Sequence, residues 1–251
     1  MQHRTIAAKG SETAMADPDF GYTTAVNEYG FYCLPDAYAR REVPRVLLAG
    51  GVYEPETLKL MRRWVRDGDV VTGGAFVGDF LPALSQVMVP GATVHSFEPA
   101  PLSHAAARIT LRLNRIDNVA LHPLAVGETP GTLHLQTVSD SGQPMAARAR
   151  VVEDEIAGKT VAVPVVPIDD LVDASRRVSV QHLDLEGHEW PALLGARRVI
   201  ETCRPLLVLE AEKAWAQRSF EARLTEAFPG LGYRMVGQME RNAFFLPDAA
   251  R

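Results

Sequence analysis

From about Gly68 onward, short runs of β-branched and aliphatic residues alternate with longer amphipathic segments. The short apolar runs predict strands at Asp69–Val71, Ala92–Phe97, Asn118–His122, Val161–Val166, Val178–Asp184, Pro205–Glu210, Tyr233–Gly237 and Asn242–Leu246. The amphipathic segments predict helices at Phe80–Met88, Pro101–Asn114, Ile168–Val172, Glu189–Glu201 and Phe220–Phe228. Such an alternation favours an α/β fold, in which helices cover both faces of a mostly parallel sheet.

Two parts of the chain depart from this alternation. Between Gly127 and Thr160 the pattern predicts a hairpin at Gly131–Gln136 and a polar loop at Ser139–Pro144, which we expect to form a mobile cover over a site. Residues 1–67 are rich in aromatic residues, Pro and Gly and lack a β/α alternation. We predict that they form an N-terminal extension to a domain at 68–251. This extension packs on the core or on a second subunit in a homo-oligomer, or is a structural cap without a functional role.

Charge and cysteine content narrow the range of partners. The 26 basic and 31 acidic residues give a net charge of -5, which provides no general attraction for nucleic acid or an anionic membrane. The two cysteines form no CxxC pair, as is usual in a reducing compartment. The stretch from Met1 to Phe20 lacks the apolar segment of an export signal. We therefore expect a cytoplasmic protein that binds neither nucleic acid nor membrane.

The strongest local signal is a glycine-rich turn from Thr72 to Gly78, between a predicted strand and a predicted helix. Glycine in such a turn lets a ligand approach the backbone. Glu98 ends the next strand, where an acidic residue can bind a ribose. The spacing differs from the G-x-G-x-x-G of dinucleotide-binding proteins, which disfavours NAD. Either a nucleoside site or a tight structural turn fits this pattern.

Several motifs in this order resemble the FkbM-type S-adenosylmethionine-dependent methyltransferases. The resemblance extends over roughly Asp69 to Leu246. It rests on the glycine turn and on Phe97–Pro99, Leu113–Asn114, Asn118–Val119, Leu124–Gly127, Ile168–Leu171, Leu183–Glu189, Arg204–Glu210 and Arg241–Phe245.

The resemblance implies a Rossmann-like class I methyltransferase with a seven-stranded sheet, in which residues 68–251 bind S-adenosylmethionine (SAM). The cofactor's methionine part would lie against Gly74, Ala75 and Gly78, its ribose against Glu98, and its adenine beside Ala125 and Val126.

Two positions depart from the family pattern. Thr72 stands where the family usually has an Asp that helps to position the cofactor's amino group, and His182 stands where Lys is common. Thr72 keeps an oxygen acceptor but carries no charge. We keep Thr72 among the expected cofactor-binding residues.

Candidate chemistry lies at the end of the predicted strand Val178–Asp184. His182, Asp184 and Glu186 alternate along the sequence and would share one side of an extended chain. A general base helps methyl transfer to a hydroxyl, and we predict Asp184 for this role and for cofactor contact, with His182 and His188 as second choices. A packing or capping role for either histidine is the alternative. Asp184, Glu186, His188 and Glu210 could bind Mg²⁺, but their spacing is not diagnostic and we predict no metal.

The leading hypothesis is a SAM-dependent methyltransferase that acts on an oxygen of a small molecule, such as a sugar or a secondary metabolite. One alternative is a methyltransferase-like binding or scaffold protein that has lost catalysis, since Thr72 replaces the usual carboxylate. The other is an NAD-dependent α/β oxidoreductase.

Overall fold

The computed structural model describes residues 19–248, in which a strand pair and two helices precede a β/α alternation. The first elements are β1 (Tyr22–Asn27), β2 (Gly30–Pro35), α1 (Glu42–Leu48) and α2 (Pro55–Trp64). The alternation continues with β3 (Asp69–Gly73), α3 (Leu81–Ser85), β4 (Val94–Phe97), α4 (Pro101–Leu113) and β5 (Val119–His122). Next come β6 (Ala125–Val126), β7 (Gly131–Gln136), β8 (Arg150–Val152), β9 (Thr160–Val166) and α5 (Ile168–Leu171). The last elements are β10 (Val178–Leu183), α6 (Glu189–Leu194), α7 (Arg197–Cys203), β11 (Leu206–Glu210), α8 (Ala214–Ala227), β12 (Arg234–Met239) and β13 (Asn242–Leu246).

A seven-stranded sheet forms the centre of the molecule, in the order β12-β13-β11-β10-β3-β4-β5. The five strands from β11 to β5 are parallel to their neighbours, whereas β13 runs antiparallel to both β11 and β12. The sheet is therefore mixed, and the predicted parallel arrangement holds for its central part. In this register Thr72 of β3 lies beside His182 of β10.

Helices cover both faces of this sheet, as predicted. Neighbouring residues of β3 point to opposite faces, so Val70 packs in one apolar cluster and Val71 in the other. The Val70 side contains residues of α2 and α3, including Leu58 and Leu84. The Val71 side contains residues of α6, α7 and α8, including Ala192, Ile200 and Leu224. Two buried layers thus fix the strand ends that carry the candidate site.

A second, four-stranded sheet has the order β6-β9-β7-β8. The predicted hairpin at Gly131–Gln136 is wrong, because these six residues form the single strand β7. Its partners β8 and β9 come later in the chain, and both pair with it antiparallel. The loop predicted to cover a site lies at one end of this sheet, where Val138 bridges to Pro144.

The N-terminal residues 19–67 form regular elements that the sequence analysis did not predict. Their strand pair packs on α4, where Thr110 Oγ1 accepts a hydrogen bond from the Cys33 N–H at 3.0 Å. Helix α2 buries Leu58 and Met61 in the same cluster as Val70 of the central sheet. The region is therefore part of the main core. A role in oligomerisation stays a prediction.

The predicted helix at Glu189–Glu201 is two helices in the structure, α6 and α7, separated at Gly195. The backbone of Gly195 lies so close to the Gly127 carbonyl that a Cβ there would overlap it. This close approach holds β6 against the helical layer. No helix within residues 19–248 is long and apolar enough to cross a membrane. Residues 1–18, which include most of the stretch used to exclude an export signal, and residues 249–251 lie outside the described part of the chain.

Candidate functional site

The glycine-rich turn lies at the carboxyl end of β3, the edge of a parallel sheet at which ligands usually bind. Gly74 has φ +82°, and a Cβ at this position would overlap the carbonyl oxygen of Asp184. Phe76 adopts φ +45°, a conformation that non-glycine residues seldom take. The turn therefore requires glycine at 74 and brings the exits of β3 and β10 into contact.

Glu98 follows β4 and fixes this turn. Its Oε2 accepts a hydrogen bond from the Phe76 N–H at 2.7 Å, and its Oε1 accepts one from the Ala100 N–H at 2.8 Å. Each carboxylate oxygen has two lone pairs, so each can accept one further hydrogen bond. Glu98 is therefore both a structural support of the turn and a free acceptor for a ligand.

A cleft, which we call the main cleft, opens between the central sheet and the second sheet. Its polar side includes Gly74, Asp79, Glu98 and Asp184. Its apolar wall is formed by Phe97, Leu124, Ala125, Val126, Leu135 and Val151. The structure thus brings together five of the predicted cofactor residues at the two sides of this cleft, namely Gly74, Glu98, Ala125, Val126 and Asp184.

Two further cavities adjoin the main cleft. One, the polar cavity, is lined by charged side chains that include Arg41, Arg148, Glu186 and Glu210. The other, the buried chamber, lies between β3, β10 and α3 and is lined by residues that include Glu54, Thr72, Ala75, Asp79, Phe80 and His182. Among the described residues, Asp184 alone lines the main cleft, the polar cavity and the buried chamber.

Burial and mutual repulsion raise the pKa values of the carboxyl groups in this region. Burial raises the pKa of Glu54, Asp79 and Glu98 to about 7 each. Burial is also the main reason why the pKa of Asp184 is well above its usual range, and the charges of Glu210 and Glu186 add to the effect. Within residues 19–248, neither Asp184 nor these three carboxylates forms an ion pair with a basic side chain. A cationic ligand would relieve this unbalanced negative charge.

Thr72 and His182, the two departures from the family pattern, contact each other. Thr72 Oγ1 lies 3.0 Å from His182 Nδ1, and both side chains are buried. The His182 ring stacks on Phe80, and burial lowers its pKa to about 4, so the ring is neutral at pH 7. Its Nε2 has no hydrogen-bond partner among the described residues. A neutral pair therefore lies in the buried chamber, separated from the polar cavity.

The prediction that one side of an extended chain carries His182, Asp184 and Glu186 is wrong. Strand β10 ends at Leu183, and Glu186 has φ +52°, so the chain turns before that residue. Asp184 and Glu186 both line the polar cavity, whereas His182 lines the buried chamber. His188 lines the main cleft, and burial lowers its pKa.

Three predicted cofactor residues lie outside the main cleft. Thr72 and Ala75 line only the buried chamber. Gly78 lines none of the three cavities, and a Cβ there would come within 3.3 Å of Thr110 Cγ2 on α4. Gly78 therefore permits close packing of the turn on α4.

The acidic residues suggested as Mg²⁺ ligands are only partly together. One carboxylate oxygen each of Asp184, Glu189 and Glu210 lies within 4.8 Å of the others, and Glu189 was not among the residues considered from the sequence. Glu189 Oε1 already accepts hydrogen bonds from the N–H groups of Leu185 and Gly187, at 2.8 and 3.2 Å. Glu189 therefore holds the turn after β10 in place.

Sequence reasoning missed several side chains of the site. Asp79 lies one residue after the glycine turn and lines both the main cleft and the buried chamber. Glu54 lies at the start of α2, where its Oε2 accepts a hydrogen bond from Asn242 Nδ2 at 2.6 Å. Arg41 and Arg148 lie in segments for which no binding role was considered. Of these residues, only Asp79 could have been found from the sequence, because it is an acidic residue directly after the glycine turn.

Comparison with known proteins agrees with this geometry. The family model described as the methyltransferase FkbM domain matches residues 73–235. Comparison with curated proteins finds no match. Among solved structures, the FkbM methyltransferase of Methylobacillus flagellatus KT is similar, with 20% identity, a TM-score of 0.51 and coverage of 72% of this chain and 44% of that one. This chain thus spans less than half the length of that relative.

Two further solved structures are more distant. A 16S rRNA methyltransferase of T. thermophilus, crystallised with AdoMet and guanosine, has 15% identity and a TM-score of 0.49, with coverage of 94% of this chain and 53% of that one. A SAM-dependent methyltransferase of Aquifex aeolicus has 13% identity and a TM-score of 0.43, with coverage of 78% and 88%. The family match covers well over half of the sequence, and the chain therefore belongs to the FkbM methyltransferase domain family.

Proposed function

We propose that this protein transfers a methyl group from SAM to a hydroxyl group of a small molecule. The observation that carries the proposal is the position of Asp184, which lines the main cleft, the polar cavity and the buried chamber. Methyl transfer needs an acceptor held about 3 Å from the methyl carbon in line with the bond that breaks. A residue that contacts both a cofactor cleft and a second cavity is suited to position the two reactants.

The residues that line the main cleft support SAM as the ligand by their chemistry. Its apolar wall, which includes Ala125 and Val126, suits the adenine ring, and Glu98 can accept hydrogen bonds from the ribose hydroxyls. Asp79 and Asp184 supply carboxylates for the cationic amino group of its amino-acid end. When bound, SAM supplies an electrophilic methyl group on a positively charged sulfur. The unpaired carboxylates of the cleft favour such a cation.

We assign to Asp79 the role that the family usually gives to an Asp at position 72. Thr72 carries no charge and is hydrogen-bonded to His182 in the buried chamber, so it cannot balance a cationic amino group. Asp79 lines both that chamber and the main cleft, and burial raises its pKa to about 7 because no basic side chain pairs with it. The loss of the charge at 72 is therefore compatible with cofactor binding.

Asp184 is the proposed general base. Its carboxylate faces the polar cavity, where an acceptor hydroxyl would lie, and its raised pKa makes it a stronger proton acceptor than an exposed Asp. In this arrangement Asp184 takes the proton of the hydroxyl at a carboxylate oxygen. The neighbouring charges of Glu210 and Glu186 favour the protonated form that results. His188 lies on the cleft side, away from the polar cavity, and His182 lies in the chamber.

No divalent metal is needed for this route, because a carboxylate with a raised pKa takes the proton. We therefore expect turnover to be the same in the presence of EDTA and of added Mg²⁺. A strong dependence on Mg²⁺ would instead assign Asp184 and Glu210 to metal binding.

The proposal is tested first by binding and then by turnover. Isothermal titration calorimetry with SAM and with S-adenosylhomocysteine (SAH) is expected to detect binding of both, and absence of binding would contradict the proposal. Transfer of an isotope-labelled methyl group to a panel of hydroxyl compounds then measures activity. We expect Asp184→Asn to lower kcat by about a hundredfold or more. The matched control is Asp170→Asn, an exposed carboxyl outside the three cavities.

The same experiments separate the alternatives. Cofactor binding without turnover on any acceptor would favour a binding or scaffold protein, to which the neutral Thr72 gives specific support. Binding of NAD without binding of SAM would favour an oxidoreductase.

A further inference from the structure

The polar cavity has an arginine-rich side, formed by the segment around α1 and the short turn before β8. Four arginines, Arg40, Arg41, Arg45 and Arg148, line this side, and we call them the arginine rim. Arg40 and Arg41 immediately precede α1 and Arg45 lies within it, whereas Arg148 lies in the short turn before β8. Arg40, Arg41 and Arg148 also line an adjoining surface cleft that contains Ser139, Ser141 and Gln143. Two segments about a hundred residues apart thus place positive charge at one opening.

The charge of the rim is largely unbalanced. Arg241, a further arginine of the cavity, pairs with Glu42 at 3.2 Å. Within residues 19–248, by contrast, no rim arginine forms an ion pair. Arg41 donates a hydrogen bond to the carbonyl of Pro144, which orients it without neutralising it. Arg148 lies near enough to Glu186 to lower the pKa of that carboxyl. Burial and the charge of Glu210 have the larger effect, so the pKa is raised overall.

A concentration of this kind is unusual for a chain with a net charge of -5. Guanidinium groups bind carboxylate and phosphate groups in a forked geometry that suits Arg better than Lys, and the cavity lining contains no Lys. Since Asp184 lines both this cavity and the main cleft, a ligand with its anionic end at the rim would have its hydroxyl at Asp184, next to the cofactor.

We infer that the methyl acceptor is a small anionic molecule, whose carboxylate or phosphate group binds the arginine rim while its hydroxyl group lies at Asp184. The inference rests on the proposed function for the hydroxyl end alone. It also gives the start of α1 and the loop before β8 a common task, which is to recognise the acceptor.

Binding is measured first, independently of turnover. With SAH saturating, NMR titrations compare glucose, glucuronate and the phosphate ester of glucose as matched neutral, carboxylate and phosphate probes. We expect one or both anionic probes to bind at least about tenfold more tightly than glucose. The anionic probe that binds more tightly shows whether the rim prefers a carboxylate or a phosphate group. Equal affinities for all three probes would overturn the inference.

Variants then assign the effect to the rim. Arg40→Gln and Arg148→Gln remove charges that hold no hydrogen bond among the described residues, so the fold is expected to be unchanged. Each is expected to weaken binding of the anionic probe about tenfold without changing that of glucose. The control is Arg218→Gln, an exposed arginine of α8 that lines none of the cavities. Anion preference that survives the Arg40→Gln/Arg148→Gln double variant would contradict the inference.

Two further outcomes are informative. A short single-stranded RNA that binds more tightly than the anionic probes, and that loses affinity in the rim variants, would overturn the small-molecule acceptor in favour of RNA. Methylation of neutral hydroxyl compounds alone would refute the anionic acceptor but support the proposed methyl transfer. Failure of SAM to bind would refute the proposed function, whereas the probe titrations repeated without SAH would still decide the role of the rim.

Discussion

At the residue scale, the site depends on carboxylates that have no basic partner. Glu54, Asp79, Glu98 and Asp184 lie around connected cavities, and burial raises the pKa of each. In many proteins such groups are neutralised by Lys or Arg, whereas here the arginines that line the polar cavity form no ion pair with these four residues. The arrangement keeps one end of the site ready for a cation and the other for an anion.

The role assigned to Asp79 can be tested by comparing ligands that have the amino-acid end of SAM with one that lacks it. Asp79→Asn is expected to weaken the binding of SAM and of SAH at least about tenfold, because a charged contact to the amino group is lost. Binding of methylthioadenosine, which lacks the amino-acid end, is expected to be unchanged. Calorimetry measures all three affinities. An equal loss for methylthioadenosine would mean that Asp79 acts by shaping the cleft instead.

The pH dependence of cofactor binding follows from the same groups. Asp79 and Glu98 have pKa values raised to about 7 by burial, and their ionised forms bind the cofactor's amino group and ribose hydroxyls, respectively, more strongly than their neutral forms do. SAM affinity is therefore expected to rise as the pH increases from about 6 to 8, with release of protons on binding. Calorimetry in two buffers of different ionisation enthalpy measures this release. Affinity that is constant over this range would contradict the assignment, and Asp79→Asn should flatten the curve.

In the ligand-free protein, the same pKa shifts make the folded state less stable as the pH rises, whereas SAM affinity is expected to rise. The folded-state pKa values of Glu54, Asp79 and Glu98 are raised, so their contribution to stability is greatest below the ordinary carboxyl pKa and is lost as the pH rises through about 7. Bound SAM would compensate for this loss.

At the element scale, the contact of α4 with its neighbours connects the N-terminal strand pair to the glycine turn. Thr110 Oγ1 accepts a hydrogen bond from the Cys33 N–H and donates one to the Val77 carbonyl at 2.8 Å. One buried hydroxyl thus links β2, α4 and the turn after β3. Asn114 adds hydrogen bonds to both backbone groups of Phe31, at 2.9 and 2.7 Å.

Removal of this hydroxyl is expected to destabilise the protein. Thr110→Val keeps the shape but leaves the Cys33 N–H and the Val77 carbonyl buried without a partner, which costs about 2 kcal/mol. Chemical denaturation measures the loss. The control is Thr225→Val on α8, where an exposed hydroxyl bonds only the Glu221 carbonyl one helical turn earlier and little change is expected. Equal effects of the two substitutions would contradict the linking role of Thr110.

Several elements could be predicted because their sequence pattern is local. Strands β3, β4 and β10 are apolar runs that end at Gly or an acidic residue, and their order places Gly74, Glu98 and Asp184 at one edge of the sheet. The break between α6 and α7 depends on contact of Gly195 with Gly127, which lies far away in the chain. Local periodicity carries no information on such a contact.

At the scale of the whole molecule, elements within residues 19–67 belong to the main core. Leu58 and Met61 of α2 share a cluster with Val70 and Leu84, and Glu54 at the start of α2 reaches the buried chamber. The sequence analysis separated residues 1–67 from the sheet because they lack the β/α alternation. The polar cavity, the arginine rim and part of the chamber require this region, so they could not be found from the sheet motifs alone.

A shortened chain tests this conclusion. A protein that begins at Gly68 would expose the apolar side on which Tyr29, Leu58 and Met61 pack, and we expect it to aggregate or to lose cooperative unfolding. Size-exclusion chromatography and thermal denaturation measure both properties. A monomeric 68–251 fragment with the melting temperature of the full chain would contradict the prediction.

The contact between Thr72 and His182 also constrains how the sequence can evolve. These residues face each other on neighbouring strands, at the two positions where the resemblance noted above implies Asp and Lys. A single change of either residue to its charged counterpart would bury one ion without its partner, at a cost of several kcal/mol. Only the two changes together restore a matched pair. We therefore expect the two positions to be epistatic, so that each mutation is deleterious alone and tolerated in the presence of the other.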